Sequence, residues 1–157
     1  MTSAPTPESA QADAWRDRLL ETPAQLRALL ERTHRIAVLG VKAPESGQPA
    51  YYVADYAHRA GYEVIPVPVY YPEMRELFGS PVYRTLAAIP GEIDLVDVFR
   101  RPKDIPPHVD DILAKRPKAV WLQLGIRHDA VAEQLARAGI EVVQDRCLLV
   151  ELQRIGR

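Results

Sequence analysis

The sequence has one cysteine, Cys147, and only two methionines and two phenylalanines in 157 residues. A single thiol excludes an internal disulfide framework and leaves no partner of its own kind for a zinc cluster. No apolar run approaches the roughly 18 residues that a membrane span needs, and the amino terminus lacks the basic-then-apolar pattern of a secretion signal. Excess charge of one sign is missing too, since 20 Lys and Arg stand against 21 Asp and Glu for a formal net charge of -1. No global field therefore draws the chain onto nucleic acid or an anionic membrane, and any anion site must be local. His34, His58 and His108 are scattered, without companions at metal-ligand spacing. These absences lead to the expectation of a cytoplasmic protein with no metal, no nucleic-acid partner and no membrane partner.

With 47% hydrophobic residues, the chain has the size and apolar content of one compact domain. Residues 1–12 are small, polar and proline-bearing and read as a loose tail. Over residues 13–33 the positions Trp15, Leu19, Leu26, Leu29 and Leu30 follow helical spacing. Thr22-Pro23 supplies a cap and an opening proline, so one or two helices are expected ahead of the main domain at 34–157.

Five short apolar runs then follow: 35–40, 63–68, 94–99, 119–124 and 140–143. All are rich in Val, Ile or Leu and too short for independent helices. Between them lie helical patterns at 49–60, 107–116 and 129–138, with a mixed stretch at 72–89 and a last segment at 147–155. Ala60-Gly61 and Ala138-Gly139 read as helix stops. Alternating strands and helices make an α/β chain of parallel βαβ units, and the arrangement expected is a doubly wound five-stranded sheet in the order 3-2-1-4-5. In that order the ligand crevice falls between the first and fourth strands.

Ligands of such sheets bind outside the carboxyl ends of the strands, which selects four loops. The first holds Gly40, Val41, Lys42 and Ala43 and runs into a helix, a combination suited to a phosphate group. It contains neither G-x-G-x-x-G nor G-K-[ST], so the usual dinucleotide and nucleoside-triphosphate loops are excluded. The second holds Val67, Pro68, Val69 and Tyr70, with no carboxylate to meet an adenosine ribose; this argues against a nicotinamide cofactor. The third, Phe99-Arg100-Arg101-Pro102-Lys103, concentrates positive charge. Because adjacent side chains diverge, at least one of Arg100 and Arg101 is expected to reach a ligand. The fourth offers Gln123, Gly125 and Ile126, while Trp121 and Leu122 read as core. Nearby, Asp129 reads as a helix cap, His128 as a surface residue and Cys147 as a structural thiol.

Four blocks in order carry a family resemblance: GYEVIPV at 61–67, DLVDVFRR at 94–101, AVWLQLG at 119–125 and VVQDRC at 142–147. Over roughly 115 residues the chain resembles small bacterial CoA-binding proteins, whose Rossmann-like domain is shared with the succinyl-CoA synthetase alpha subunit. The resemblance implies CoA or an acyl-CoA as ligand and no established reaction. It places Gly40, Val67, Pro68, Phe99 to Arg101, Gln123 and Gly125 on the ligand side. The chain departs from the family pattern at Val41-Lys42, Ala50 and Val69-Tyr70, where hydroxyl or Asn-Pro residues are common. Two other readings stand beside a CoA-binding module. One is an enzyme acting on CoA thioesters or CoA disulfides through His128, Asp145 or Cys147, and the other is an NAD(H)-responsive regulatory domain. A protein partner or a second copy of the chain is open in each reading.

Overall fold

The computed structural model describes residues 6–7 and 12–157. The tail expected at 1–12 lies mostly outside the described residues. The sheet strands are β1 (Arg35–Leu39), β2 (Glu63–Val67), β3 (Leu95–Val98), β4 (Ala119–Gln123) and β5 (Glu141–Arg146). Helices are α1 (Pro23–Arg32), α2 (Pro49–Arg59), α3 (Val109–Lys115), α4 (Asp129–Arg137) and α5 (Leu148–Arg154), with a 3-10 helix at Ala14–Arg18 ahead of them. Thr22 accepts from the Gln25 N–H while Gln25 reaches back to the Thr22 N–H, and Pro23 opens α1. This reciprocal cap satisfies two donors that a bare helix start leaves unpaired. After α2, Gly61 at φ 100° and a bond from the Tyr62 N–H to the Ala57 carbonyl end the helix as its Ala-Gly signal implies.

All five strands are parallel, and the main sheet runs 2-1-3-4-5 when only its own strands are counted. The α/β parallel sheet agrees with the expectation; the order 3-2-1-4-5 does not. Two physical reasons select the observed order. Pro66 lacks an N–H and suits an edge strand, and its carbonyl accepts from Tyr83 N–H on the side facing away from β1. Had β3 lain beyond β2, that nitrogen would have faced a ladder it cannot enter. In addition, Leu86, Ile89 and Ile93 of the β2–β3 crossover pack on the face opposite α2, so a right-handed crossover carries the chain back over β1.

Three layers result. One core joins α1, α2 and α5 to Ile36, Val38, Leu95, Trp121 and Val143; the other joins α3, α4 and Trp15 to Ala37, Val96, Val120 and Val142. The stretch 72–89 contains no helix. It forms a short antiparallel hairpin, Glu76–Leu77 with Ser80–Pro81, turned by Phe78 and Gly79 at φ 55° and 71°. Two positive φ angles in a two-residue loop match the twist of paired strands, and prolines at 72, 81 and 90 interrupt any helical ladder. Phe78 stacks on Tyr51 of α2 at 5.7 Å between centroids. At the far edge, Leu19 bridges Val142 in parallel fashion and the Leu20 N–H donates to its carbonyl.

Candidate functional site

With the order 2-1-3-4-5, successive crossovers leave the sheet in opposite directions between β1 and β3, so the crevice lies there. This corrects the expected position between the first and fourth strands. An open cleft of about 360 Å³ occupies this place, lined by Lys42, the start of α2, the loop after β3 and the loop after β4. Clefts of about 340 and 350 Å³ open along β2 and beside Trp15. Volume therefore does not select the site; the convergence of strand ends, a helix start and cations does.

The two sides of the crevice touch through Gly40. Its φ is 86°, and a Cβ there would stand 2.4 Å from the Phe99 carbonyl oxygen, so only glycine lets the loops after β1 and β3 approach this closely. The Gly40 N–H donates to Val67 and the Phe99 N–H to Leu39, which locks both turns to the sheet. Beyond Gly40, Val41 and Ala43 bury their side chains, while Lys42 lines the cleft. The Lys42 N–H is taken by the Ala50 carbonyl. Gln48 caps α2 without a side-chain bond, and Pro49 occupies its first turn. The amino end of an 11-residue helix therefore faces the cleft with Gln48, Pro49 and Ala50, and its dipole favours an anion.

The loop after β3 contributes Phe99, Arg100, Arg101 and Pro102. Arg101 is exposed and pairs with Asp104 at 2.8 Å, and that hydrogen bond, first among its causes, holds the Asp104 carboxyl below its usual range. Arg100 is half-buried, and its Nε is buried with no hydrogen-bond partner. Burial and the positive charge of Arg100 push the His108 imidazole down from its ordinary value, against the opposing pull of Asp111 and Asp104. His108 is consequently neutral at pH 7.

From the loop after β4 come Gln123, Leu124, Gly125 and Ile126. The Gln123 side-chain oxygen accepts from the Leu148 N–H at 3.2 Å and so caps α5. Asp145, at φ 56°, accepts the Gly125 N–H at 2.7 Å. These two contacts leave the Gly125 turn rigid and its own N–H spent. Leu124 is 65% exposed and forms an apolar rim. The loop after β2 is placed elsewhere: Val67 and Pro68 are buried, Val69 and Tyr70 are exposed, and none of the four lines the cleft. Arg84 clamps that loop by donating to the carbonyls of Tyr70, Tyr71, Pro72 and Met74. His128, not Asp129, caps α4, its Nδ1 accepting from Val131. Among the described residues no group of three His, Cys, Asp or Glu is placed to hold a metal ion.

Sequence reasoning did not single out Gln48, Pro49, Pro102 or Leu124 as binding residues, nor Asp97. Asp97 sits in β3 between Val38 and Trp121, fully buried, with neither carboxyl oxygen hydrogen-bonded. Burial pushes its pKa well above the ordinary value, which favours the protonated, neutral form. A carboxylate inside the apolar run Leu95-Val96-Asp97-Val98 was the available signal.

The fold defines a Rossmann-like α/β protein with an open crevice where its strand order reverses. The chain belongs to the CoA binding domain family, whose profile matches residues 34–153. It is 32% identical over 127 residues to the uncharacterized protein YneT of Bacillus subtilis (strain 168), covering 81% of this chain and 91% of that protein. A solved protein of Thermus thermophilus, described as cell-free ID.343, superposes with a TM-score of 0.78 at 42% identity, over 86% of this chain and 99% of its own. A hypothetical protein from Pyrococcus horikoshii OT3 superposes with a TM-score of 0.77 at 27% identity, over 99% of both chains. No described helix is long and apolar enough to cross a membrane.

Proposed function

We propose that the cleft between β1 and β3 binds CoA or an acyl-CoA by its nucleotide end, and that residues 34–157 act as a binding module. The observation that carries this reading is the meeting of an uncapped α2 amino end with Lys42 and Arg100 in a family of CoA binding domains. The diphosphate would lie at the helix start, where dipole and cations act together. At about 360 Å³, the cleft falls near the lower end of the usual range of about 300–1,000 Å³ for ligand pockets. It therefore suits part of so long a ligand, with the pantetheine arm running outward over Leu124 and Ile126.

The functional consequence is binding-linked: the bound thioester alters the exposed surface to the extent that the ligand prefers one conformation. Parallel calorimetric titrations with CoA, NADH and ATP test the assignment. Saturable heat with CoA is expected; binding of NADH alone would overturn it.

A further inference from the structure

We infer that Arg100, and not its neighbour Arg101, grips the diphosphate bridge of the nucleotide; this rests on the CoA-binding reading and deepens it. Both arginines line the cleft, and a sequence alone cannot separate them. Their surroundings do. The Arg101 guanidinium is exposed and already spent on Asp104 through its Nε at 2.8 Å. Arg100 makes no side-chain hydrogen bond or ion pair among the described residues, and its Nε is withdrawn from solvent without a partner. A buried donor left unmade is destabilising, and a guanidinium is an expensive group to leave so, since each of its N–H groups seeks an acceptor.

Position then names the acceptor. The Arg100 Cδ would lie 3.3 Å from a Cβ at Gly40, so the side-chain stem rests against the turn that ends β1. That turn leads to the start of α2, where an α/β crevice seats the phosphates that join two halves of a ligand. Two phosphoryl groups in series offer several anionic oxygens at the spacing of a guanidinium fork, and Arg holds such groups in a two-pronged way that Lys does not. Lys42 belongs to the loop after β1 and adds a point charge. His108, the titratable group whose charge would oppose a cation here, is kept neutral by burial and by Arg100 itself.

The test measures dissociation constants for CoA and dephospho-CoA, which share the diphosphate and differ in the 3′-phosphate, on the wild-type chain, Arg100→Met and Arg101→Met. Methionine retains the apolar stem, and ligand-free melting curves check folding. Arg100→Met is expected to weaken both ligands by the same factor, about 10- to 100-fold, the value of losing charge-assisted bonds. Arg101→Met is expected to stay within about threefold, as for an exposed, already paired charge. Arg100→Lys, which restores charge without the fork, should recover only part of the loss and serves as the readout if methionine disturbs folding. Binding by Arg100→Met within threefold of wild type would overturn the inference. So would a loss confined to CoA, which would move Arg100 to the 3′-phosphate, or a larger loss in Arg101→Met. Failure of the wild-type chain to bind either ligand would instead remove the underlying functional reading.

Discussion

Replacing Asp97 by Asn should make the protein more stable at neutral pH and leave it nearly unchanged in acid. Asn keeps the branching of the side chain and a polar head but cannot ionise. In the fold Asp97 has zero exposure and neither oxygen bonded, and its pKa is raised by burial. In the unfolded chain it ionises near pH 3.8. The folded pKa lies above the unfolded one, so the favourable contribution of the protonated form is complete below pH 3.8. It is lost as pH rises toward the folded pKa, at about 1.4 kcal/mol per pH unit between the two values. Wherever the pH lies between those two values, the wild-type fold holds a proton that the unfolded chain has released, and the variant has no such burden.

Urea unfolding of both proteins at several pH values from 4 to 8 measures this. Taking the difference between them cancels the titrations of Asp94, Asp104 and His108. With a urea slope of about 1–3 kcal/mol/M, each 1.4 kcal/mol moves the midpoint by roughly 0.5–1.4 M. The two stability curves should meet near pH 4 and separate as pH rises. Parallel curves across that range would refute the assignment of a neutral acid at Asp97.

Two further expectations concern the frame around the crevice. Gly40→Ala places a Cβ 2.4 Å from a backbone carbonyl at φ 86°, and backbone strain with a clash of this kind should cost about 2–4 kcal/mol. A melting temperature within 1 °C of wild type would contradict the close approach. Asp94 accepts from the His34 and Arg35 N–H groups, both at 2.9 Å, and meets Lys118 at 3.3 Å. Burial alone would raise its pKa, yet those N–H groups and Lys118 bring it below the ordinary value. Its contribution is therefore present above pH 3.8 and lost as pH falls through the folded value. Asp94→Ala should cost about 2–4 kcal/mol at pH 7, with two N–H groups left unpaired, and the gap to wild type should narrow in acid unfolding curves.

Much of the fold was legible because its signals are local. The Thr22-Pro23 cap, the Ala-Gly stops and the apolar runs each act within a few residues, and the helices and strands begin and end close to them. The fifth strand ran longer than expected because Arg146 pairs with Gln123 after a register shift that follows the Trp121–Val143 pair, with Gln144 and Asp145 falling between the two pairs. Strand order was misread because it depends on long-range choices. The edge preference of Pro66 and the face chosen by Leu86, Ile89 and Ile93 settle it, and neither follows from periodicity.

The cleft shows the same division. Lys42, Arg100, Arg101 and Gln123 were named from their place after strands, and they line one cavity. Which cation is already paired, and which N–H is taken by Asp145 from 20 residues away, required the folded chain. Tyr70 and Val69 stood in a loop of the right kind, but β2 is an edge strand and its loop turns aside under the grip of Arg84.

The two margins of the sheet carry different guards: a proline nitrogen and the Tyr83 bond on β2, and the Leu19–Leu20 segment laid along β5. Neither margin presents a long row of open backbone groups, so strand-by-strand recruitment of another copy finds no template at these places. Contacts between copies, where they form, must use side chains of helices and turns, and on the crevice rim the exposed apolar ground is Leu124.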